Sequence, residues 1–324
     1  MILGIESTAH TFGIGVVNKG KILANVRDMY TTKEGGIIPT ESAQHHKKVA
    51  PKVYQKALDE ANISPEQIKA IAVSNAPGLA PCLHEGVKFA QALAKRLKVQ
   101  IIPVNHCVAH LEIGQSVGAK DPVLLYASGA NTQIIAYAAG KYRVFGETLD
   151  IGIGNFIDKV ARHFGMGFPG GPEIEKKALK GKYIELPYSI KGMDVSFSGL
   201  QTKLQQLYDK GEKVEDLSYS LQETAFSMLV EAAERALAHT GKTELVLGGG
   251  VACNSRLQEM CQIMCKERIK KTKFFCPSKD LLVDNAAMIA FNGEIMFNAG
   301  ISVKPGKVEV KPRERTDHVN VTWR

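Results

Sequence analysis

The stretch VNHCVAHLEIG sets His106 and His110 four residues apart in a mostly apolar run. On a helix, positions i and i+4 share a face, so both imidazoles can meet one ion. The same spacing also suits two helix histidines with ordinary hydrogen bonds. A hydrolytic HExxH site is ruled out, because Cys107 stands where the general-base glutamate would be. Two residues elsewhere could complete a metal set. Asp284, in LLVDNAAMIAF, sits at a predicted helix start late in the second half, and Tyr126 ends the strand leading into SGANT. His45 and His46 read as a solvated helix face.

No GxxxxGK[ST] occurs, so the phosphate site is not a P-loop. The nucleotide candidates are turns with accessible backbone N–H groups: GIESTAHT, YASGANT and LGGGVACN. In the last, glycines let the backbone approach a ligand and Asn254 occupies an N-cap position, an arrangement suited to adenosine or phosphate.

The elements that must position these groups follow from an internal repeat. Residues 2–24 (ILGIESTAHTFGIGVVNKGKILA) lie over 123–144 (VLLYASGANTQIIAYAAGKYRV). Each copy reads strand, small-residue turn, strand, Gly-Lys turn, strand. Ser7 matches Ser128 and Thr11 matches Thr132, and one deletion later Gly20-Lys21 matches Gly140-Lys141. After the first copy, the pattern predicts a helix over 41–61, a strand at KAIAVSN, a helix over 84–97 and a strand at VQIIPVN. After the second, it predicts helices over 219–240, 254–269 and 284–298, with strands at TELVLGGG and KFFCPS.

Two such β-meander-plus-α/β lobes describe an α/β duplicated, actin-like or sugar-kinase-like (ribonuclease H-like) two-lobed ATPase fold. The expected lobes are 1–121, also able to receive the C-terminal helix, and 122–324, carrying a Gly-, Pro- and Lys-rich insertion at 165–215. If the lobes face each other, the His pair, Tyr126 and Asp284 can converge across a cleft.

Composition agrees with a globular chain: 324 residues, 44% hydrophobic and 23% charged. No apolar run approaches the roughly 20 residues needed to span a bilayer, and MILGIEST starts as a strand, so cytoplasmic placement without a membrane is expected. The six cysteines form no CxxC pair, and Cys261 and Cys265 suit one buried helix face. A net charge of +8 suits a polyanion partner, nucleic acid first, or an ordinary basic surface.

The motifs GIESTAHT, GGIIPTESAQHH, VNHCVAHLE, YASGANTQ, GETLDIGIGNFIDKVAR, FPGGPEIEK, MDVSFSGL, LGGGVACNSRL and DNAAMIAF occur in this order along nearly the whole chain. Together they resemble the tRNA threonylcarbamoyladenosine transferase family, which comprises bacterial TsaD and the catalytic subunit of the archaeal and eukaryotic KEOPS complex. GGIIPTESAQHH and the ending RTDHVNVTWR resemble the archaeal-type branch, without the kinase domain that some archaeal members carry fused. The resemblance implies one divalent metal ion, Fe(II) favoured and zinc the alternative, held by His106, His110 and Asp284 with Tyr126 a further ligand. It implies that Tyr126, Ala127, Ser128, Gly129, Ala130, Asp158, Gly171, Glu175 and Asn254 bind the ATP/AMP moiety of threonylcarbamoyl-AMP. The implied reaction moves the threonylcarbamoyl group to N6 of the adenosine 3′ of the anticodon in tRNAs reading ANN codons. Implied partners are tRNA, the KEOPS subunits (a small kinase/ATPase, a small dimerising subunit and an accessory subunit) and a YrdC-like enzyme that supplies the donor.

No residue is singled out as the general base; for Asp158 a ribose-hydroxyl acceptor role is the better reading. Lys47, Lys48, Arg162, Lys176 and Lys203 are candidate tRNA contacts, each also readable as plain surface. The chain departs from the family pattern in two places. APGLAPCLHEG puts His84 and Glu85 where Arg-Val is expected, and Ala130 stands where glycine is usual, which requires negative φ there. Two other classes remain: a chaperone-like or scaffold ATPase of the same fold without group transfer, and a metalloprotease suggested only by HxxxH.

Overall fold

The computed structural model describes residues 1–32, 37–268 and 271–324. Gly35 and Gly36 of the GGIIPTESAQHH segment, and Ile269 at the expected end of the 254–269 helix, lie outside the described residues.

The first compact unit comprises Met1–Ser116, Gly140–Tyr142 and Asp284–Arg324. Its sheet is built from β1 (Ile2–Glu6), β2 (Thr11–Asn18), β3 (Lys21–Met29), β4 (Ala70–Ala76) and β5 (Gln100–Asn105), in the order β3-β2-β1-β4-β5. The first three strands are an antiparallel meander, while β4 and β5 run parallel to β1. The helices of this unit are α1 (Pro39–Ala61), α2 (Ala80–Leu97), α3 (His106–Glu112) and, late in the chain, α10 (Ala286–Asn298).

Period-two alternation decides which helix meets which sheet face. Leu3, Ile5, Phe12, Ile14 and Val16 bury into one core with α1 and α2 residues such as Ala50, Val53, Tyr54, Ala90 and Leu93. The alternate positions are Gly4, Gly13 and Gly15, and α10 lies directly on them. A Cβ at Gly4 would fall 2.4 Å from the Ala286 carbonyl oxygen, and Gly293 of α10 reciprocates against Ala72. Small residues on both surfaces let a helix backbone settle against strand backbone, and α10 is accordingly apolar on nearly every side. The segment from Asp284 onward therefore packs with the first unit, so it is the 1–121 lobe that receives the C-terminal helix.

The second unit comprises Val117–Ala139 and Arg143–Val283. Its sheet uses β6 (Val123–Ala127), β7 (Thr132–Ala138) and β8 (Lys141–Glu147), then β11 (Glu244–Gly248) and β12 (Lys273–Phe275), in the order β12-β11-β6-β7-β8. Meander, then two parallel strands beside the first: the topology repeats that of the first unit. The matched turns repeat as well. Lys19-Gly20 (φ 50° and 73°) and Ala139-Gly140 (φ 50° and 78°) both place two successive residues in the left-handed region, the conformation that suits strand twist in a two-residue hairpin.

Between β8 and β11 come α4 (Ile153–His163), α5 (Gly171–Ala178), the two-residue strands β9 (Ile190–Lys191) and β10 (Asp194–Val195), α6 (Ser198–Asp209) and α7 (Val214–Thr240). The 165–215 region is thus not loop alone, since α5, α6 and the β9–β10 pair fall within it. α8 (Ser255–Glu267) and α9 (Lys279–Leu282) follow β11 and β12. Cys261 and Cys265 are buried together in the core with Leu257 and Met264, and all six cysteines are free. No helix among the described residues is long and apolar enough to cross a membrane.

One histidine assignment is corrected. His46 is fully buried, its Nε2 3.0 Å from the Ala9 carbonyl, and His45 is half-buried against Asp28 at 2.8 Å. The pair is not a solvated face. Ala43, His46, Ala50, Val53 and Ala57 form the buried stripe of α1, so His46 falls on the core side of the helix.

Candidate functional site

The first unit assembles a cluster at one end of its sheet. β5 ends at Asn105, whose side chain accepts the backbone N–H groups of Cys107 and Val108 at 3.1 and 3.3 Å. That N-cap starts α3 at once, so His106 and His110 occupy successive turns of one helix. Their ring centroids are 4.8 Å apart in an edge arrangement. Asp284, just ahead of α10, brings Oδ1 to 3.3 Å from His106 Nε2 and 3.6 Å from His110 Nε2. One ligand atom from each of the three residues lies within 4.8 Å of the others.

Both imidazoles are buried, whereas the Asp284 side chain is 18% exposed and opens the set on one side. Burial alone would push the Asp284 carboxyl up. The adjacent imidazoles, His106 foremost, outweigh that and hold it well below the usual carboxylate range. Burial pulls His110 down, partly offset by its contact with Asp284, which favours a neutral ring with a lone pair to give.

Glu6, the last residue of β1, sets the orientation of His106. Its Oε2 lies 3.0 Å from His106 Nδ1, and its Oε1 accepts the Thr8 backbone N–H at 2.7 Å and hydroxyl at 2.5 Å. A proton on Nδ1 directed to Glu6 would leave the Nε2 lone pair for an ion shared with Asp284, the usual carboxylate–histidine support of a metal ligand. From its sequence, GIESTAHT is a candidate nucleotide turn. In the structure its Glu6 and Thr8 side chains are committed to His106. The available signal was a carboxylate ending the strand whose parallel neighbours lead to the histidines.

The second unit gathers most of the remaining singled-out residues. Tyr126 and Ala127 are buried at the end of β6, where Tyr126 pairs with Gly248 of β11. The Ser128–Asn131 turn closes on itself through Ser128 N–H to the Asn131 carbonyl at 2.9 Å. It rests on the start of α4, where Gly154 and Asn155 donate to the Ser128 and Gly129 carbonyls at 3.0 and 2.9 Å. A Cβ at Gly152 or Gly154 would strike this turn, which explains the glycines of DIGIGN. Ala130 is not among the residues with positive φ, so its side chain is accommodated. Gly249 (φ 92°) comes so close to Ala127 that only glycine fits.

Asp158, one and a half turns into α4, accepts the Gly170 N–H at 2.8 Å; burial raises its carboxyl against that bond and Arg162. Gly171 opens α5, with free space where a Cβ would stand. Glu175 accepts both the N–H and the hydroxyl of Ser255, at 2.8 and 2.5 Å. Asn254 caps α8 through the N–H groups of Arg256 and Leu257 and donates to Gln222 at 2.6 Å. Thus α4, α5 and the α8 N-terminus are tied into one framework beside the glycine turns. Tyr126 belongs to this unit, His106, His110 and Asp284 to the other. Of the basic residues, Lys47, Lys48, Arg162 and Lys176 are exposed, Lys203 is half-buried, and His84 stands exposed on α2.

A family model described as TsaD, tRNA N6-adenosine threonylcarbamoyltransferase, matches residues 21–291. Proteins named tRNA N6-adenosine threonylcarbamoyltransferase from Thermococcus sibiricus and Thermococcus gammatolerans are 55% and 56% identical over 323 residues, with 99% of each chain covered. The solved structure of full-length HypF in its phosphate- and nucleotide-bound form aligns with a TM-score of 0.61 at 14% identity, over 91% of this chain and 46% of that one. At that identity the likeness speaks for the α/β two-lobed, actin-like class of fold alone.

Proposed function

The chain belongs to the tRNA N6-adenosine threonylcarbamoyltransferase family, an acyltransferase family acting on tRNA, and from that premise we propose how its residues serve the transfer. The donor is threonylcarbamoyl-AMP and the acceptor is N6 of the adenosine 3′ of the anticodon in tRNAs reading ANN codons. N6 forms a bond to the carbamoyl carbon, the bond from that carbon to the phosphate oxygen breaks, AMP departs and N6 gives up a proton. Adenine N6 is a poor nucleophile because its lone pair is delocalised into the ring, so a mixed-anhydride donor is needed.

His106, His110 and Asp284 would hold one divalent ion, iron(II) or zinc. Two imidazole nitrogens and a carboxylate suit either metal. When bound, such an ion supplies a Lewis acid and a template for the donor's carboxylate and carbamoyl oxygens. The remaining work falls to the chain. Glu6 keeps the His106 proton on Nδ1, and the depressed Asp284 carboxyl stays ionised near neutrality. The N–H groups of Gly129, Ala130 and Gly250, which the bonds within their turns do not use, are offered to the departing phosphate. Asp158 accepts a ribose hydroxyl with the oxygen not engaged by Gly170, while Gly171 and Glu175 border the adenosine.

The acceptor tRNA meets exposed basic residues including Lys47, Lys48, Arg162 and Lys176. The chain works as the catalytic subunit of KEOPS, with its small kinase/ATPase, small dimerising and accessory subunits, and a YrdC-like enzyme makes the donor. Six free cysteines support a reducing, cytoplasmic setting.

The observation that carries this reading is the convergence of three ligand atoms, two from α3 and one from just ahead of α10, within 4.8 Å. The test is His110→Ala in a reaction with donor-forming enzyme, partner subunits and tRNA, read by mass spectrometry of nucleosides. Metal content and modified adenosine should vanish together. Full activity with no metal bound would overturn the assignment, and elemental analysis of protein prepared without chelators distinguishes iron from zinc.

A further inference from the structure

A cavity of about 300 Å³ lies within the second unit, lined by Tyr183, Tyr188, Tyr219, Glu223, Thr224 and Ser227. The last four recur at i, i+4, i+5 and i+8, a single stripe along α7. The opposite wall is the extended segment 182–189, pinned along α7 by its backbone. Lys182 N–H donates to Asp216 at 2.6 Å and Ile184 N–H to Ser220 Oγ at 2.7 Å, while the Tyr188 hydroxyl donates to Glu231 at 2.5 Å. Gly181 passes so near Tyr219 that a Cβ there would lie 2.6 Å from the tyrosine Cβ.

Tyr183 and Tyr188 are nevertheless 54% and 48% exposed. A ring held by the backbone bonds on either side, as Tyr183 is, or by its own hydroxyl, as Tyr188 is, has little freedom to lose on binding a flat partner. Three of the carboxylates around them are already engaged, Glu223 with Arg256 at 2.7 and 2.8 Å, Glu231 with Tyr188 and Arg235, and Glu215 with Lys177 at 2.9 Å, while Glu185 is exposed between the two tyrosines in the chain. Exposed Lys176, Lys177, Lys180 and Lys182 lead directly into Tyr183. Stacking rings beside a basic approach are the means by which unpaired nucleic acid is held, because every base has a π-face and every link a phosphate.

We infer that this pocket takes an unstacked base of the RNA acceptor. The base stacks on Tyr183 and Tyr188, its polar edge meets Thr224, Ser227 and Glu223, and Lys176, Lys180 and Lys182 meet the adjoining phosphates. This rests on the reading that tRNA is the acceptor.

The full chain is titrated with a labelled tRNA transcript, and with a short unstructured oligoribonucleotide and its abasic counterpart, as wild type and as Tyr183→Ala/Tyr188→Ala. Unfolding midpoints check that the variant is folded. Binding of tRNA should weaken roughly tenfold or more in the variant. Its salt slope should be unchanged, whereas Lys180→Gln/Lys182→Gln should flatten that slope. Wild type should also prefer the base-bearing oligonucleotide to the abasic one, a comparison that needs no variant. Equal tRNA affinity in a folded alanine variant, or no preference over abasic RNA, overturns the inference. So does a variant that loses a protein partner or self-association while binding RNA as before. Because binding is read directly, a chain that binds as expected yet transfers nothing argues against the proposed reaction and not against this pocket.

Discussion

Replacing Glu6 with glutamine tests how the His106 lone pair is aimed. Glu6 Oε1 faces two Thr8 groups at 2.7 and 2.5 Å, one of them a backbone N–H that can only donate, and Oε2 faces His106 Nδ1 at 3.0 Å. Glutamine must therefore turn its oxygen to Thr8 and its NH2 to His106. An NH2 offered to Nδ1 favours the tautomer with its proton on Nε2, the nitrogen 3.3 Å from Asp284 Oδ1. The lone pair meant for an ion is then masked. Loss of such an orienting partner typically costs about 10- to 100-fold in metal affinity, or about 1.4–2.7 kcal/mol. A buried hydrogen bond to a charged group is independently worth about 1.5–3 kcal/mol, so two routes agree on the scale. The assay is competition for Fe(II) under anaerobic conditions, or for zinc, between the apo chain and a chromophoric chelator near neutral pH. Thr8→Val, which leaves the Glu6 charge in place, should weaken binding far less. If Glu6→Gln bound metal as tightly as wild type with an unchanged unfolding midpoint, Glu6 would not be setting the ligand nitrogen.

Two further perturbations probe the frame around the site. Burial lowers the His46 imidazole from 6.5 to about 4, so the unfolded chain takes up its proton first as pH falls. Stability should be full above about pH 6.5 and about 2 kcal/mol lower at pH 5. Urea midpoints across that range should slope in wild type and lose this component in His46→Gln; an identical slope in both would show that another group is responsible. Gly4→Ala places a Cβ 2.4 Å from backbone atoms of Ala286 and Ala290, which cannot yield as a flexible side chain would. Overpacking of this kind costs about 1–3 kcal/mol, and because Asp284 lies just ahead of α10, metal affinity should drop with the denaturation midpoint. An unmoved midpoint would mean that α10 does not sit on the glycine face as described.

Much of the frame was legible because its causes are local. Alternation and turn chemistry marked the repeated meanders, and the hairpin residues Lys19-Gly20 and Ala139-Gly140 adopt the same left-handed pair. Helical periodicity marked α1, α2, α8 and α10 to within a few residues, and Asn254 caps α8 as its position suggested. The start of α7 was missed by several residues, because Val214 to Ser218 are mostly polar and only Leu217 among them belongs to the core. His46 falls in step with Ala43, Ala50, Val53 and Ala57, a stripe that outweighs the polarity of two adjacent histidines.

From the order of residues alone came the duplicated succession of strands and helices, the two-histidine helix and the glycine turns, each set by interactions within a few neighbours. Which sheet α10 joins could not be read that way. It follows from Gly4, Gly13 and Gly15 leaving a floor that a helix some 280 positions later can reach, a contact made only when the whole first unit closes. The same long-range packing sets Asp284 beside His106 and His110 and turns Glu6 to the first imidazole, because a carboxylate's neighbours in space depend on which strands and helices end at the same edge.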